Sequence, residues 1–256
     1  VDYSEDSIYI IGNGRVGNWF YDQIKTVYKS VNILSSKEID KFNFKSSRSN
    51  HFFLAVPDNA INSVANDLVK FLSKVLVDLN GVSLFHFSGS LTSDVFDKKI
   101  ITKCASIHPA FSVPKTSETI INNEDRFFIL EGNIDAQQFL QKILGQLAFK
   151  YLIVKTEFKP LYHALCVLSS SLIMPFIDSL YNGMNKCGFS DQDSKNLITS
   201  LINSGKSNLD QYDLENGLTG PHKRRDLETI ELNLKALESF NPKLRDIYLS
   251  FSKLLD

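Results

Sequence analysis

The segment IYIIGNGRVGNWF at residues 8–20 constrains the fold more than any other part of the chain. Ile8–Ile11 is a short continuous apolar run, the pattern of a strand covered on both faces in a parallel sheet. Gly12, Gly14 and Gly17 follow in G-x-G-x-x-G spacing, and Val16, Phe20, Ile24 and Val27 resume on one helical face. A second apolar run, VNIL at 31–34, closes a βαβ-sized interval. In that setting each glycine has a physical task. Gly12 permits the tight turn, Gly14 lets the backbone approach a pyrophosphate, and Gly17 lets the helix pack closely on the strand. The turn Gly12–Asn13–Gly14–Arg15–Val16–Gly17 reads as a phosphate cradle at a helix amino end. A plain strand–turn–helix connection is the alternative. Arg15 either adds a charge near the phosphates or is solvated on the helix face.

The end of the second strand bears on which dinucleotide is held. A site for the free ribose 2′-hydroxyl of NAD usually offers an Asp or Glu about 20 residues past the glycines. Here Ser35, Ser36 and Lys37 come first and the first acidic residue is Glu38. Two hydroxyls and an ammonium suit a 2′-phosphate, so NADP is expected over NAD. Ser–Ser–Lys is also ordinary loop composition.

The sheet is expected to continue through HFFLAV (51–56), SLFHFSGSL (83–91), CASIHPAF (104–111), RFFILEG (126–132) and KYLIVK (150–155), with a helix near 134–147. Pro57–Asp58 is expected to stop a strand and cap the next helix. Ligands of open α/β sheets sit beyond the carboxyl ends of strands. Val56, Pro57, Ser88, Gly89 and His108 fall at such ends and are expected to line the cofactor. The alternative for His86 and His108 is a bond to nearby backbone.

From Pro160 the pattern changes. LYHALCVLSSSLIMPFIDSLYNGMNKCG predicts a long helix ending near Gly188, kinked at Pro175. Its apolar residues cover nearly the whole circumference, and a helix without a solvent face must be buried on several sides. A homodimer through the carboxyl-terminal helices is expected. Ser190 and Asp193 resemble a capping box. Further helices are marked by Leu227, Ile230, Leu234 and Leu237, and, after Asn241–Pro242, by Leu244, Ile247, Tyr248, Phe251 and Leu255. His163 and the serines Ser169, Ser170 and Ser171 read as a pocket wall or as hydroxyls back-bonded to the preceding turn. LTGPHKRRD at 218–226 joins a tight turn to a positive cluster, either an anion site or an exposed loop.

Composition removes several classes. The formal charge of −1 and pI near 6.6 argue against general nucleic-acid binding. Three unpatterned cysteines read as reduced thiols of a cytoplasmic protein. The acidic start VDYSEDS lacks the basic and apolar parts of a secretory signal, and no run approaching about 20 apolar residues is seen, so no membrane span is expected. The domain boundary is expected at 156/157: residues 1–156 an α/β dinucleotide-binding domain with a mostly parallel sheet, residues 157–256 an all-α dimerisation and substrate domain.

GNGRVG, SSK, AVPD, HFSGSL, IHPAF, YHALCVLSSS and LTGPHKRRD occur in an order that resembles a bacterial family of Rossmann-like oxidoreductases with a helical carboxyl-terminal domain of undefined function. That family is similar to pyrroline-5-carboxylate reductase and, more remotely, to 6-phosphogluconate and 3-hydroxyisobutyrate dehydrogenases. The resemblance singles out His108, Pro109, Tyr162, His163, Thr219, Gly220, Pro221, Arg224 and Asp226. It implies a site at a dimer interface, with a Ser-rich helix facing the nicotinamide. Three departures are visible: the usual Asn is Ser171, the Gly before Asp226 is Arg225, and a later helical His is Asn233.

The expected function is hydride transfer between NADP and a small anionic keto, imino or hydroxy substrate. His163 is the expected general acid/base, because imidazole ordinarily titrates near neutral pH. Ser170 or Ser171 would orient the reacting group, and Thr219 and Arg224 would hold the anion. The rival readings are an NADP(H)-binding dimer without chemistry, serving as a sensor or partner-binding protein, and a metal hydrolase built on His86, His108 and His163. No carboxylate or Cys stands at ligand spacing for the latter, so no metal is expected.

Overall fold

The computed structural model describes residues 6–41, 49–76, 78–114 and 123–255. Residues 1–5 of the acidic start lie outside the described residues. The chain divides into two compact units, Val1–Cys166 and Val167–Asp256. The first unit extends past the expected boundary at 156/157 because Lys159, at the start of the next helix, buries its side chain on the sheet of that unit.

The first unit runs β1 (Asp6–Ile11), α1 (Arg15–Ile24), β2 (Val31–Leu34), β3 (Ser49–Leu54), α2 (Asp58–Val75), β4 (Val82–His86), β5 (Lys103–Pro109), β6 (Phe127–Gly132), α3 (Ile134–Gln146) and β7 (Lys150–Ile153). The strands form one seven-stranded sheet in the order β2-β1-β3-β4-β5-β6-β7. β1 to β5 are parallel, β6 is antiparallel to β5, and β7 is parallel to β6. Chain direction across the sheet reverses at β1/β3, the position where such folds bind ligands beyond the strand ends.

Both faces of the central strands are covered, which is why they read as unbroken apolar runs. Ile8, Ile10, Phe53, Phe85, Ile107 and Phe128 pack on Trp19 and Phe20 of α1 and on Phe139, Leu140 and Ile143 of α3. On the opposite face Tyr9, Ile11, Leu54, Leu84 and Cys104 pack on Ile61, Ala65, Leu68 and Leu72 of α2. That second face turns polar toward the carboxyl ends of its strands. One cross-strand row reads Leu54, His86, Ser106, Glu131.

The expected long helix is two helices, α4 (Lys159–Ser169) and α5 (Ile173–Lys186). Proline has no N–H and its ring crowds the carbonyl four residues back, so Pro175 is accommodated only in a first turn. The break therefore falls just before it, where the Leu172 N–H reaches the Val167 carbonyl at 3.0 Å. Counted across the break, Thr156–Lys186 is long and apolar enough to cross a membrane, contrary to the expectation of no such run. Its neutral Ser, Tyr and Cys residues interrupt the apolar run without adding charge.

The second unit continues with α6 (Asp191–Gln211), α7 (Leu214–Gly217), α8 (Gly220–Arg224), α9 (Leu227–Phe240) and α10 (Pro242–Ser252). Ser190 caps α6 by accepting the Asp193 N–H at 3.1 Å, and Asn241 caps α10 by accepting the Lys243 N–H at 3.1 Å. Among the described residues of this unit only Ser194, Ile198 and Leu244 are buried.

Candidate functional site

The glycine turn sits where β1, β2 and β3 end together. The Gly12 N–H donates to the Leu34 carbonyl at 2.8 Å, and the Ala55 N–H donates to Ile11 at 2.7 Å. Gly12 has φ +113°, and a Cβ there would lie 2.2 Å from the Ala55 carbonyl oxygen. A Cβ on Gly17 would lie 1.9 Å from the Gly12 carbonyl oxygen, so α1 approaches β1 only because residue 17 has no side chain. At Gly14 a Cβ would meet nothing within 4 Å. Gly14 is also the N-cap of α1, with no side-chain cap and no acidic residue in the first turn. Unpartnered N–H groups facing open space are what an anion needs. These residues fit a dinucleotide diphosphate. Asn13, Gly14 and Arg15 are exposed around it, and Val16 is half-buried.

At the end of β4 and β5 a second set of groups converges. Gly89 is buried, and a Cβ on it would lie 2.7 Å from His163 Nε2 and 2.9 Å from His108 Nε2. The two imidazoles are 5.4 Å apart between centroids and nearly perpendicular at 87°. His108 Nδ1 is 2.7 Å from the Tyr162 hydroxyl. Burial pushes the Tyr162 hydroxyl well above its ordinary range, helped by Cys166. Burial, then His163 and Lys159, push His108 down to about 4, against the pull of Asp58.

His86 belongs to the scaffold. Its Nε2 lies 3.2 Å from the Thr92 carbonyl and its Nδ1 accepts the Ser88 N–H at 3.2 Å, so both ring nitrogens are spent on the 86–92 turn. That removes it from any metal site. Desolvation pushes it down to about 4. Asp58 does not cap α2 as expected; the N-cap, Pro57, has no side-chain bond. The Asp58 carboxylate instead accepts the Ser88 hydroxyl at 2.6 Å and the Ser90 hydroxyl at 3.2 Å, tying the start of α2 to the turn that carries Gly89. Val56 and Pro57 border the same strand ends, half-buried and exposed respectively.

Below the imidazoles lies a buried ionic cluster that the sequence did not disclose. Glu131 is 1% exposed and accepts from the Ser93 N–H at 2.8 Å, the Ser93 hydroxyl at 2.9 Å, the Thr156 hydroxyl at 3.1 Å and the Ser106 hydroxyl at 3.2 Å. Lys159, fully buried, donates to Ser106 Oγ. Desolvation lowers Lys159 to about 8, opposed by Glu131 and Asp58. Glu131 carried one legible signal, a charge inside the apolar strand RFFILEG, whereas Lys159 beside a proline looks like any solvated lysine.

At the end of β2 the picture is mixed. The Lys37 N–H donates to Ser35 Oγ at 3.3 Å, and Glu38 reaches back to accept the Ser35 N–H at 3.1 Å, a reciprocal cap of the next turn. Ser36 and Lys37 line a cavity of about 560 Å³ with Lys70, Phe71 and Lys74 of α2, and with Asp40 and Asp67.

The remaining expected site residues, Ser170, Ser171, Thr219 and Arg224, lie in the second unit. Ser170 and Ser171 fall in the break between α4 and α5, where the Ser171 hydroxyl points to the Val167 carbonyl at 3.5 Å. Thr219 is the N-cap of α8 without a side-chain cap bond, and Arg224 is exposed. Arg225 takes the left-handed conformation, φ +54°. The backbone that a glycine favours is thus kept despite the Arg. Asp226 caps α9, accepting the Thr229 N–H at 3.1 Å and its hydroxyl at 2.8 Å. Part of the expected positive patch is engaged locally: His222 lies 3.0 Å from the Tyr248 hydroxyl, and Lys223 donates to the Glu215 carbonyl at 2.6 Å.

A seven-stranded, mostly parallel sheet with a glycine cradle at its switch point, followed by a helical unit, defines a Rossmann-type α/β protein with a helical carboxyl-terminal region. Residues 126–254, about half of the chain, match the family described as Domain of unknown function (DUF2520), and the chain belongs to that family. The fold is similar to that of protein TM1727 from Thermotoga maritima, at 26% identity over 97% of this chain and 96% of that one, TM-score 0.68. It is also similar to a Plasmodium falciparum pyrroline carboxylate reductase solved with NADP bound (16% identity, 97% of each chain, TM-score 0.58). A Myxococcus stipitatus imine reductase variant in complex with NAD+ shares the fold at 11% identity, over 96% of this chain and 92% of that one, TM-score 0.60. No curated protein matches the sequence.

Proposed function

We propose that the chain is an NADP-dependent oxidoreductase acting on a small anionic keto, imino or hydroxy substrate. One juxtaposition within the first unit carries the reading: an open, uncapped Gly14 corner beside strand ends where two imidazoles converge on Gly89. The backbone of Gly12–Gly17 holds the diphosphate, and Val56, Pro57, Ser88 and Gly89 border the ribose and nicotinamide. When bound, the nicotinamide supplies or accepts the hydride. His163 moves the proton at the reacting oxygen or nitrogen. Ser170 and Ser171 orient the substrate, Thr219 and Arg224 hold its anionic end, and the helical units of two copies pair. The cytoplasm suits its cysteines, none of which is in a disulfide among the described residues.

The preference for NADP rests on charge. Lys37, Lys70 and Lys74 outnumber Asp40 and Asp67 in the lining of the Ser36 cavity, and the Glu38 carboxylate is occupied by the Ser35 N–H. The bound NADP of the Plasmodium reductase and the bound NAD+ of the Myxococcus variant leave either dinucleotide compatible with the fold. Thermal shift with NADPH, NADH, flavin and S-adenosylmethionine tests the reading. At about 100 times its dissociation constant, NADPH is expected to stabilise the protein by about 2.7 kcal/mol. His163→Ala is expected to keep that shift while losing turnover by about 100-fold or more. No shift with either nicotinamide dinucleotide would reject the assignment, and unchanged turnover would remove His163 from it.

A further inference from the structure

Glu131 is a charge set among Phe128, Ile129 and Leu130 of β6, and both of its carboxylate oxygens are in use. Oε2 accepts the Ser93 N–H at 2.8 Å and the Ser106 hydroxyl at 3.2 Å; Oε1 accepts the Ser93 hydroxyl at 2.9 Å and the Thr156 hydroxyl at 3.1 Å. These donors come from three separate segments of the first unit, and each segment carries one part of the candidate site. Ser93 directly follows the turn that holds Gly89. That turn is braced from within: His86 Nε2 lies 3.2 Å from the Thr92 carbonyl, and Ser88 Oγ accepts the Leu91 N–H at 3.0 Å. Ser106 precedes His108 by two positions on β5, so the two side chains leave the same face of the sheet. Thr156 leads into α4, where Lys159 reaches back to donate to Ser106 Oγ. Tyr162 and His163 follow Lys159 at i+3 and i+4, one turn further along the same face of α4.

A buried charge pair is a weak source of stability, because taking the charges out of water offsets most of their attraction. Four directional hydrogen bonds on one carboxylate supply something else, a fixed relative placement of the segments that donate them. We propose that Glu131 is a positioning residue: by holding Ser93, Ser106 and Thr156 together, it sets the His163 ring against Gly89 and beside His108. Lys159 balances its charge and ties the start of α4 to it through Ser106. Both residues are buried, so they act through the two imidazoles and not on a ligand directly. That the placed imidazoles do chemistry rests on the oxidoreductase reading; the placement is a property of the ligand-free protein.

The test compares two double variants that both remove the charge pair. In Glu131→Gln with Lys159→Met, the amide oxygen takes the Ser93 N–H and the Ser106 hydroxyl. Its NH2 donates to the Ser93 and Thr156 hydroxyls, which accept as readily as they donate. In Glu131→Leu with Lys159→Met the pair is replaced by apolar residues and every tie to residue 131 is cut. The readout is the Overhauser contact between the Gly89 Hα and the His163 ring in NMR of the ligand-free protein. A Cβ on Gly89 would lie 2.1 Å from His163 Cδ2, so the hydrogen in its place points at that ring. The wild type and the amide variant are expected to show the contact, and the folded apolar variant to lose it. A role confined to stability would lower the melting temperature of the apolar variant and leave the contact in its folded form. That result overturns the proposal, as does a wild type without the contact, or an amide variant that fails to fold or folds without it. If the apolar variant does not fold, Thr156→Val, which removes only the tie at the start of α4, is read in its place with the same two outcomes. Thermal shift with NADPH on the same samples separates the two readings. A contact that behaves as expected in a protein that binds no NADPH rejects the functional reading alone. A contact that survives the apolar variant in a protein that binds NADPH rejects this proposal alone.

Discussion

At Gly14 a methyl group would meet no protein atom within 4 Å, whereas at Gly12 it would lie 2.2 Å from the Ala55 carbonyl oxygen and at Gly17 1.9 Å from that of Gly12. The three glycines therefore separate into two that serve the fold and one that faces a ligand. Gly17→Ala forces backbone apart and is expected to cost about 1–3 kcal/mol or more, and Gly12→Ala adds the strain of φ +113°. Gly14→Ala is expected to cost no more than about 1 kcal/mol, because Ala is a poorer N-cap than Gly but meets no clash, yet to weaken NADPH at least about tenfold, 1.4 kcal/mol. Urea unfolding and thermal shift on the three variants check this. Equal destabilisation by all three would end the assignment of Gly14 to a ligand. This division was legible in the sequence because glycine spacing after a strand reports backbone geometry directly. The Lys159–Ser106–Glu131 cluster was not. Its partners lie 53 and 25 residues apart, and pairing across strands leaves no local pattern.

Strands and most helices were readable element by element because periodicity and caps are local. VNIL is β2 without change, the Ser190 cap starts α6 where expected, and α10 begins after the expected break at Asn241–Pro242. The antiparallel β6 was not, since strand direction is set by what the chain packs against, whereas Pro175 was legible as a kink and differs only in being a full break. His86 shows how one element's requirement becomes a property of the whole fold. Its neutral ring ties β4 to the following turn, and burial lowers its folded-state pKa from an ordinary 6.5 to about 4. The stability this contributes is complete above pH 6.5, where the ring is neutral in both states. As pH falls below 6.5 the unfolded chain takes up a proton that the folded chain refuses, and the loss is complete near pH 4. By pH 5 it amounts to about 2 kcal/mol. Urea unfolding at pH 7.5 and pH 5 is expected to show that loss in the wild type, added to a similar one from His108, which is also held down to about 4. His86→Gln, which keeps a donor for Thr92 and an acceptor for the Ser88 N–H, is expected to remove about 2 kcal/mol of the total and leave the His108 share. An equally steep decline in His86→Gln would place the acid sensitivity elsewhere.

For the whole molecule, the second unit poses a problem of burial. Its helices carry many apolar residues, yet Ser194, Ile198 and Leu244 are its buried residues among those described, and α5 has none. Leu227 is 74% exposed, Met174 68% and Leu201 56%. Helices of this length gain most of their stability from packing an apolar face, so we propose that a unit with so little interior packs against a partner. A second copy of the chain is the occupant we expect, because the same faces on each copy complete one another about a two-fold axis. Sedimentation is then expected to give twice the 29.0 kDa chain mass, with a melting temperature that rises with protein concentration. Met174→Glu with Leu201→Glu separates the cases. On a surface that stays in water such changes move stability by no more than about 0.5 kcal/mol each. On a face buried between copies they are expected to shift the protein to a monomer and lower its melting temperature by several degrees. A wild-type chain that sediments as a monomer and melts independently of concentration, with a double variant equally stable, would leave these helices exposed to solvent and refute the paired arrangement.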